Sequence, residues 1–208
     1  MSGVLLIGAG GLAREVIAAG MPRIAGILDD DEHLQGAAVS GVAVVGRVAD
    51  AAALSEDLLV CVGSGSARSR VAGRLHALGV REERYATYVA ESARIGASSR
   101  VGRGSVVLDG VVVTADVSIG RHCVIMPNCT LTHDDVVEDF ATLAAGVSLA
   151  GRVRIREMAY IGTNASVRQS TTVGRSATVG MGAVVLTHVP DEQIWAGVPA
   201  RQLERVKL

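Results

Sequence analysis

The chain has 208 residues and a formal net charge of −1, and its residues are 49% hydrophobic but only 2% aromatic. The absence of a basic run or an aromatic-rich basic patch argues against a nucleic-acid partner. The sequence also lacks an apolar run of the roughly 18 residues that span a membrane, and it lacks a signal-type N-terminus, so we expect no membrane partner. An odd cysteine number favours a cytoplasmic protein without disulfides.

Residues 1–82 have the pattern of a small α/β domain. The predicted strands are Val4–Ile7, Ile24–Leu28, Val42–Gly46 and Leu58–Val62, and the predicted helices are Leu12–Ala19 and Ser66–Leu78. Strands that alternate with helices predict a small parallel, Rossmann-like sheet, in which ligands bind at the carboxyl ends of the strands.

Two segments of this domain are candidates for ligand binding. Gly8, Gly10 and Gly11 follow the first strand, where small residues let backbone N–H groups approach an anion at a helix N-terminus. The last glycine of the dinucleotide fingerprint is missing, so a tight structural turn remains an alternative, and hydride transfer is disfavoured. The acidic run Asp29–Asp31 after the second strand could hold a ribose or a base edge.

Residues 83–208 carry a repeat of six. Every sixth residue from Val89 to Val185 is aliphatic, a period that neither a lone helix nor a lone strand produces. The residue four positions after each aliphatic one is small or compact, and Cys123 and Cys129 are two of these residues. Asp135 is the exception in this series. This pattern predicts a β-solenoid of short strands joined by tight turns, with both cysteines packed inside.

The two segments together resemble the hexapeptide-repeat sugar O- and N-acetyltransferases of the sialic acid and bacillosamine type. The resemblance implies a left-handed parallel β-helix over residues 83–208 that binds acetyl-CoA, and a nucleotide-linked sugar held by residues 1–82. It implies that these residues contact that substrate: Gly8, Gly10, Gly11, Asp29, Asp30, Gly63 and Ser64.

The chain departs from this family in the N-terminal pocket. Leu12 stands where the family usually has histidine, and Ser64-Gly65-Ser66 stands where it often has an acid or amide followed by a basic residue. The acceptor sugar and the nucleotide base therefore stay open. We expect an amino group as the acceptor, with a hydroxyl of sialic acid or another sugar as the alternative.

His133 is the candidate for catalysis. It lies two residues after the inward Leu131 and therefore projects outward, and the carboxylates of Asp134 and Asp135 follow it directly. One coil of three hexapeptides is 18 residues, so Gly151 stacks beside His133 on the next coil. A base for the acceptor and an N–H for the thioester oxyanion are the two groups that acetyl transfer needs.

The family resemblance assigns roles to these residues. It implies that His133 is the general base in a direct transfer without an acyl-enzyme, that Asp134 orients it, and that Gly151 binds the oxyanion. Asp135 could replace Asp134 in that role. The resemblance also implies that these residues contact acetyl-CoA: Thr142, Gly151, Gly162, Gly180 and Pro199. Thr142 stands where the family often has a second histidine. Pro199 belongs to a closing segment that could instead cap the last coil.

The family assembles as trimers with active sites between subunits, and we expect a homotrimer here. A zinc-dependent carbonic anhydrase of the same fold is disfavoured because His122 and His133 lack a third histidine partner, so no metal is expected. We expect His122 and His188 to be solvated turn residues. A non-catalytic scaffold that binds nucleotide sugars remains a second alternative.

Overall fold

The computed structural model describes residues 3–203. Its first part is an α/β domain. In chain order, the elements are β1 Val4–Ile7, α1 Gly11–Ala18, β2 Ile24–Leu28, β3 Ala38–Val39, β4 Val42–Gly46, β5 Asp57–Val60 and α2 Gly65–Ala77, with 3-10 turns at Glu32–Leu34, Val48–Ala52 and Glu82–Arg84.

The sheet of this domain has the strand order β3-β4-β2-β1-β5. All neighbours are parallel except β3 and β4, which form a short antiparallel hairpin. The predicted parallel sheet is confirmed, whereas β3 was not predicted because two residues carry no periodic pattern. Because β1 lies between β2 and β5, the loops that follow these three strands meet at one edge of the sheet.

The predicted helix limits are shifted by one residue. The side chain of Ser64 caps α2 by accepting a hydrogen bond from the Ala67 N–H (3.4 Å), so the helix begins at Gly65. Leu75 is fully buried on the predicted apolar face, but Leu78 follows the last turn of α2 and is 46% exposed.

The second part is a left-handed parallel β-helix with three flat faces, called A, B and C in chain order. Face A consists of Tyr88–Val89, Val106–Val107, Val124–Ile125, Thr142–Leu143, Tyr160–Ile161, Thr178–Val179 and Ile194–Ala196, with Arg201–Leu203 antiparallel at its end. Face B consists of Arg94–Ile95, Val112–Val113, Thr130–Leu131, Ser148–Leu149, Ser166–Val167 and Val184–Val185. Face C consists of Arg100–Val101, Ser118–Ile119, Val136–Val137, Arg154–Ile155 and Thr172–Val173.

Up to Val184–Val185, neighbouring strands on a face are 18 residues apart, as Val113 and Leu131 are. The last parallel pair on face A, Val179 with Trp195, is 16 residues apart. The inward aliphatic residues from Val107 to Val185 are at most 2% exposed, and Cys123 and Cys129 are buried among them as predicted. Val89 is 38% exposed because the first coil has no coil before it to cover its core. The six-residue period therefore predicts this core almost to its ends.

The α/β domain packs on face A. Leu6 and Leu12 share an apolar cluster with Val106 and Val124, and the Tyr88 hydroxyl donates a hydrogen bond to the Ala19 carbonyl. In a triangular prism, the corner between faces B and C lies opposite face A. The α/β domain and the B/C corner are therefore on opposite sides of the β-helix.

The predicted domain boundary between residues 82 and 83 falls in the turn Glu82–Arg84 and stays a prediction. Residues 1–2 and 204–208, which the two predicted domains include, lie outside the described residues. No helix within residues 3–203 has the length and apolar character that crossing a membrane requires.

Candidate active site

His133 and Asp134 form a hydrogen-bonded pair at the B/C corner. His133 Nδ1 lies 2.8 Å from Asp134 Oδ2, and the two side chains are 60% and 46% exposed. The hydrogen bond from His133, with a smaller contribution from Arg152, holds the pKa of the Asp134 carboxyl below its usual value. An ionised Asp134 fixes the tautomer in which Nδ1 carries the proton and Nε2 is the free base.

The imidazole of His133 lies directly over Gly151 of the next coil. A Cβ atom at position 151 would be 2.5 Å from both Cε1 and Nε2 of the ring, so only glycine leaves room for the imidazole in this position. The Arg152 N–H donates to the His133 carbonyl (2.9 Å) and ties the two coils together. The predicted stacking of His133 on Gly151 is thus confirmed.

Asp135 has a different environment from Asp134. It is fully buried, and its carboxylate accepts hydrogen bonds from the backbone N–H groups of Thr132 and Val153, both at 2.8 Å. Burial raises the pKa of Asp135 to about 7. Ser105 uses its hydroxyl in the same way, accepting from the N–H of Cys123 on the next coil. The geometry therefore gives Asp135 a structural role and leaves the contact with His133 to Asp134.

The glycine loop after β1 lies at the carboxyl edge of the sheet. Gly8 has a φ of +100°, which favours glycine, and a Cβ there would be 3.1 Å from Val62. Gly10 and Gly11 have open space around their Cα atoms, and no side chain caps the N-terminus of α1. The first N–H groups of α1 are thus open to an anionic group.

The two aspartates after β2 are engaged within the domain. Asp29 accepts hydrogen bonds from the N–H groups of Ala9 (2.7 Å) and Asp31 (2.9 Å) and so holds the glycine loop against β2. Asp30 accepts from the Val48 N–H and forms an ion pair with Arg74 (2.5 Å). A contact between either carboxylate and a nucleoside stays a prediction.

Two cavities open between the α/β domain and face A. The first, of about 350 Å³, we call the acceptor pocket for the role that we propose for it. It is lined by Gly11, Leu12, Glu15, Gly63, Val124, Met126, Thr142, Ala144, Ala145, Tyr160 and Thr163. The second, of about 490 Å³, adjoins it along Gly63 and Tyr160 and is lined further by Ser64 and Ser66. Gly63 forms a wall of both cavities, so its position determines the shape of each.

The family description "Bacterial transferase hexapeptide (six repeats)" matches residues 98–133. Among solved structures, the chain is similar to the acetyltransferase domain of PglB from Neisseria gonorrhoeae in complex with acetyl coenzyme A, with 33% identity, a TM-score of 0.87, and coverage of 97% of this chain and 99% of that one. The chain belongs to the hexapeptide-repeat sugar N-acetyltransferases.

Further solved structures agree with this family. PerB from Caulobacter crescentus, in complex with CoA and GDP-perosamine, is 31% identical with a TM-score of 0.88 and 98% coverage of both chains. WeeI from Acinetobacter baumannii is 25% identical with a TM-score of 0.83 and coverage of 98% of this chain and 100% of that one. No curated protein matches the chain.

In this acetyltransferase, the residues predicted to bind acetyl-CoA lie in separate places. Gly162 and Gly180 lie on successive coils at the A/B corner, where a Cβ on Gly162 would be 2.6 Å from the Met181 nitrogen. Pro199 follows a cis peptide bond in the segment that closes the last coil. Thr142 lines the acceptor pocket, on the far side of the β-helix from His133. Within one chain, Gly151 contacts His133, whereas Thr142, Gly162, Gly180 and Pro199 do not surround it.

The prediction that His122 is solvated is wrong. His122 is only 2% exposed and lies between the rings of Tyr85 and Phe140, with centroid distances of 4.5 and 5.0 Å. The α/β domain and the turn Glu82–Arg84 cover this corner, and the resulting burial lowers the pKa of His122 to about 4. His188 is exposed, as predicted, and its Nδ1 accepts from the Thr172 N–H.

Sequence reasoning missed Arg68. It is 0% exposed and donates hydrogen bonds both to the loop after β5 and to the β-helix. Its position three residues before Val71 and seven before Leu75 puts it on the apolar face of α2, which was the signal available in the sequence. No group of three or more His, Cys, Asp or Glu side chains in residues 3–203 has a metal-binding arrangement.

Proposed function

We propose that this protein transfers an acetyl group from acetyl-CoA to the amino group of a nucleotide-linked sugar, with His133 as the general base. The observation that carries this proposal is the contact of His133 with Asp134 on one side and Gly151 on the other. Nε2 of the imidazole has no hydrogen-bond partner among residues 3–203 and is free to accept a proton.

The proposed reaction is a direct transfer within one ternary complex. His133 Nε2 removes the proton from the acceptor nitrogen as this nitrogen attacks the thioester carbonyl carbon. The C–N bond forms, the C–S bond breaks, and the sulfur of CoA leaves as a thiolate that takes up the proton. The Gly151 N–H, which has no acceptor in the described part of the chain, can donate to the oxyanion.

The acceptor side is supported by the glycine loop and the acceptor pocket. The open N-terminus of α1 at Gly10 and Gly11 favours phosphate, and Leu12 and Met126 offer an apolar wall to a sugar ring. The PerB structure holds CoA and GDP-perosamine together, which favours an amine over a hydroxyl as the acceptor. Transfer to a sialic acid or another sugar hydroxyl is the alternative outcome of an acceptor screen.

The experiment measures thiol release from acetyl-CoA with UDP-, GDP- and TDP-linked 4-amino sugars and with CMP-sialic acid. We expect turnover with one amino sugar and its loss in His133→Asn. Turnover with CMP-sialic acid alone would replace N- by O-acetylation. Binding of acetyl-CoA without turnover would remove nucleotide sugars as acceptors, and no binding of acetyl-CoA would leave the non-catalytic scaffold.

We further propose that the active site forms between the subunits of a homotrimer. His133 lies at the B/C corner and the acceptor pocket lies on face A, so one chain cannot bring them together. A second copy that packs its B/C corner against face A would complete the site. The three free, buried cysteines fit a reducing compartment, and we propose the cytoplasm.

A mixing experiment tests this assembly. His133→Asn removes the base, and Gly11→Trp fills the acceptor pocket, so each variant alone is inactive. Mixed trimers contain sites with an intact His133 from one subunit and an intact pocket from its neighbour, and we expect them to recover activity. If mixed trimers stay inactive although the subunits exchange, the site lies within one chain and the proposed assembly is wrong.

A further inference from the structure

Arg68 is a buried cation without a counter-ion. Its side chain is fully buried in the interface between α2 and the β-helix, and it forms no ion pair with any carboxylate in residues 3–203. Burial lowers the pKa of Arg68 to about 10, which still leaves it charged at neutral pH. A charge in such a place is costly unless hydrogen bonds satisfy it, so its contacts indicate what it does.

The guanidinium joins two parts of the molecule that are distant in sequence. On the α/β side, Nη1 donates to the carbonyls of Val62 (2.9 Å) and Gly63 (2.7 Å). On the β-helix side, Nε donates to the carbonyl of His122 (2.9 Å), and Nη2 donates to the carbonyl of Phe140 (2.9 Å) and to the hydroxyl of Thr142 (2.9 Å). One planar group thereby sets the distance between the loop after β5 and two successive coils.

This loop needs an external support. Gly63 has no side chain, and no atom outside its neighbours lies within 4 Å of its hypothetical Cβ. Its carbonyl accepts from Arg68, with a longer contact of 3.5 Å from the Thr142 hydroxyl. Gly63 and Thr142 both line the acceptor pocket, so Arg68 holds two of its walls at once.

We propose that Arg68 is a positioning residue for the acceptor substrate: it fixes Gly63 and Thr142 relative to each other and thereby forms the acceptor pocket. This inference rests on the proposed function for the identity of the substrate. Lysine cannot replace arginine in this role, because an ammonium group has three donors on one atom and cannot reach carbonyls on both sides.

The test compares Arg68→Lys with Arg70→Lys, since Arg70 is an exposed residue on the same helix. For Arg68→Lys we expect the KM for the acceptor to rise at least tenfold, while the KM for acetyl-CoA changes less than twofold. Arg70→Lys should leave both values unchanged. In Arg68→Ala, guanidinium at millimolar concentration should restore part of the acceptor affinity. If both KM values rise by the same factor in Arg68→Lys, the role of Arg68 is purely structural and the positioning role is wrong.

Hydrogen exchange separates this inference from the proposed function. We expect the amides of residues 62–66 to exchange at least tenfold faster in Arg68→Lys, with unchanged exchange in the coils after residue 160. Faster exchange in a protein whose wild type turns over no nucleotide sugar would retain the positioning role and overturn the proposed substrate. Unchanged exchange and unchanged KM values in an active enzyme would overturn the positioning role alone.

Discussion

Two histidines at corners of the same β-helix have opposite environments. His122 lies against Gly104 of the preceding coil, is buried between Tyr85 and Phe140, and has a lowered pKa. His133 lies against Gly151 of the following coil, is exposed, and shares a hydrogen bond with Asp134. In both places a glycine of the adjacent coil leaves room for the imidazole ring. The residues around the ring determine whether the imidazole is buried by packing or free to react.

The difference follows from where the α/β domain lies. It covers the C/A corner and leaves the B/C corner bare within one chain. The buried imidazole of His122 stays neutral and contributes to packing, although the carboxylate of Glu82 lies 3.9 Å from its Nε2. An exposed imidazole held by an ionised acid keeps a basic nitrogen available.

Exchanging each histidine for asparagine separates chemistry from packing. We expect His133→Asn to lower kcat by on the order of 10³ without a change in stability, because it removes the base. His122→Asn should leave kcat nearly unchanged and lower the free energy of unfolding by about 2 kcal/mol through lost ring contacts. Asn128 and Asn164 have the corresponding turn conformation with positive φ, so asparagine fits there. Rate assays and denaturant unfolding of both variants measure the two effects, and a loss of kcat in His122→Asn would contradict the contrast.

A methyl group at position 151 tests whether His133 needs the space that Gly151 leaves for its ring. Gly151→Ala would place a carbon 2.5 Å from the imidazole and displace the ring, so we expect kcat to fall by about 10²-fold. Gly73→Ala in α2 is the control, because nothing lies within 4 Å of its hypothetical Cβ. Steady-state kinetics of both variants measure the effect. Equal kcat values would show that catalysis does not depend on the contact of the His133 ring with Gly151.

The two acids after His133 should differ in their effect on catalysis. We expect Asp134→Asn to lower kcat about tenfold, less than the loss on the order of 10⁴ for a buried triad aspartate, because water screens this exposed pair. Asp135→Ser should keep kcat within about threefold, since serine at position 105 makes the same backbone contact. Kinetic constants for both variants test the assignment, and the reverse order would transfer the orienting role to Asp135.

The pH dependence of stability should reveal His122 and Asp135 as opposing groups. The folded pKa of His122, about 4, is below its ordinary 6.5, so its contribution to stability is lost as pH falls from about 6.5 to 4. The folded pKa of Asp135, about 7, is above its ordinary 3.8, so its contribution is lost as pH rises from about 4 to 7.

Removing either group should reveal the effect of the other on the pH dependence of stability. Between pH 4 and 7, we expect Asp135→Ser to become more stable with rising pH and His122→Asn to become less stable, each relative to the wild type. Unfolding in denaturant at several pH values measures these slopes. Parallel slopes in both variants would show that one of the two groups does not titrate as its burial indicates.

The sequence predicts the β-helix better than it predicts the interface. The period of six determines the inward residues from Val107 to Val185, and the break at Asp135 points to the neighbouring His133. The period does not show that Glu82–Arg84 covers His122. That contact joins the α/β domain to the β-helix, and no repeated pattern in the sequence describes how these two parts pack. Arg68 was missed for the same reason: its partners at Phe140 and Thr142 are more than 70 residues away.

Stacking at 18-residue intervals also restricts how the length of this enzyme can change in evolution. The contact of His133 with Gly151 and the strand pairs of the β-helix up to Val184–Val185 depend on that interval. An insertion of six residues after Gly151 would move all later residues to the next face and separate Gly180 from the A/B corner. A whole extra coil would preserve each corner and only lengthen the prism, so duplication of complete turns is the change that this architecture tolerates.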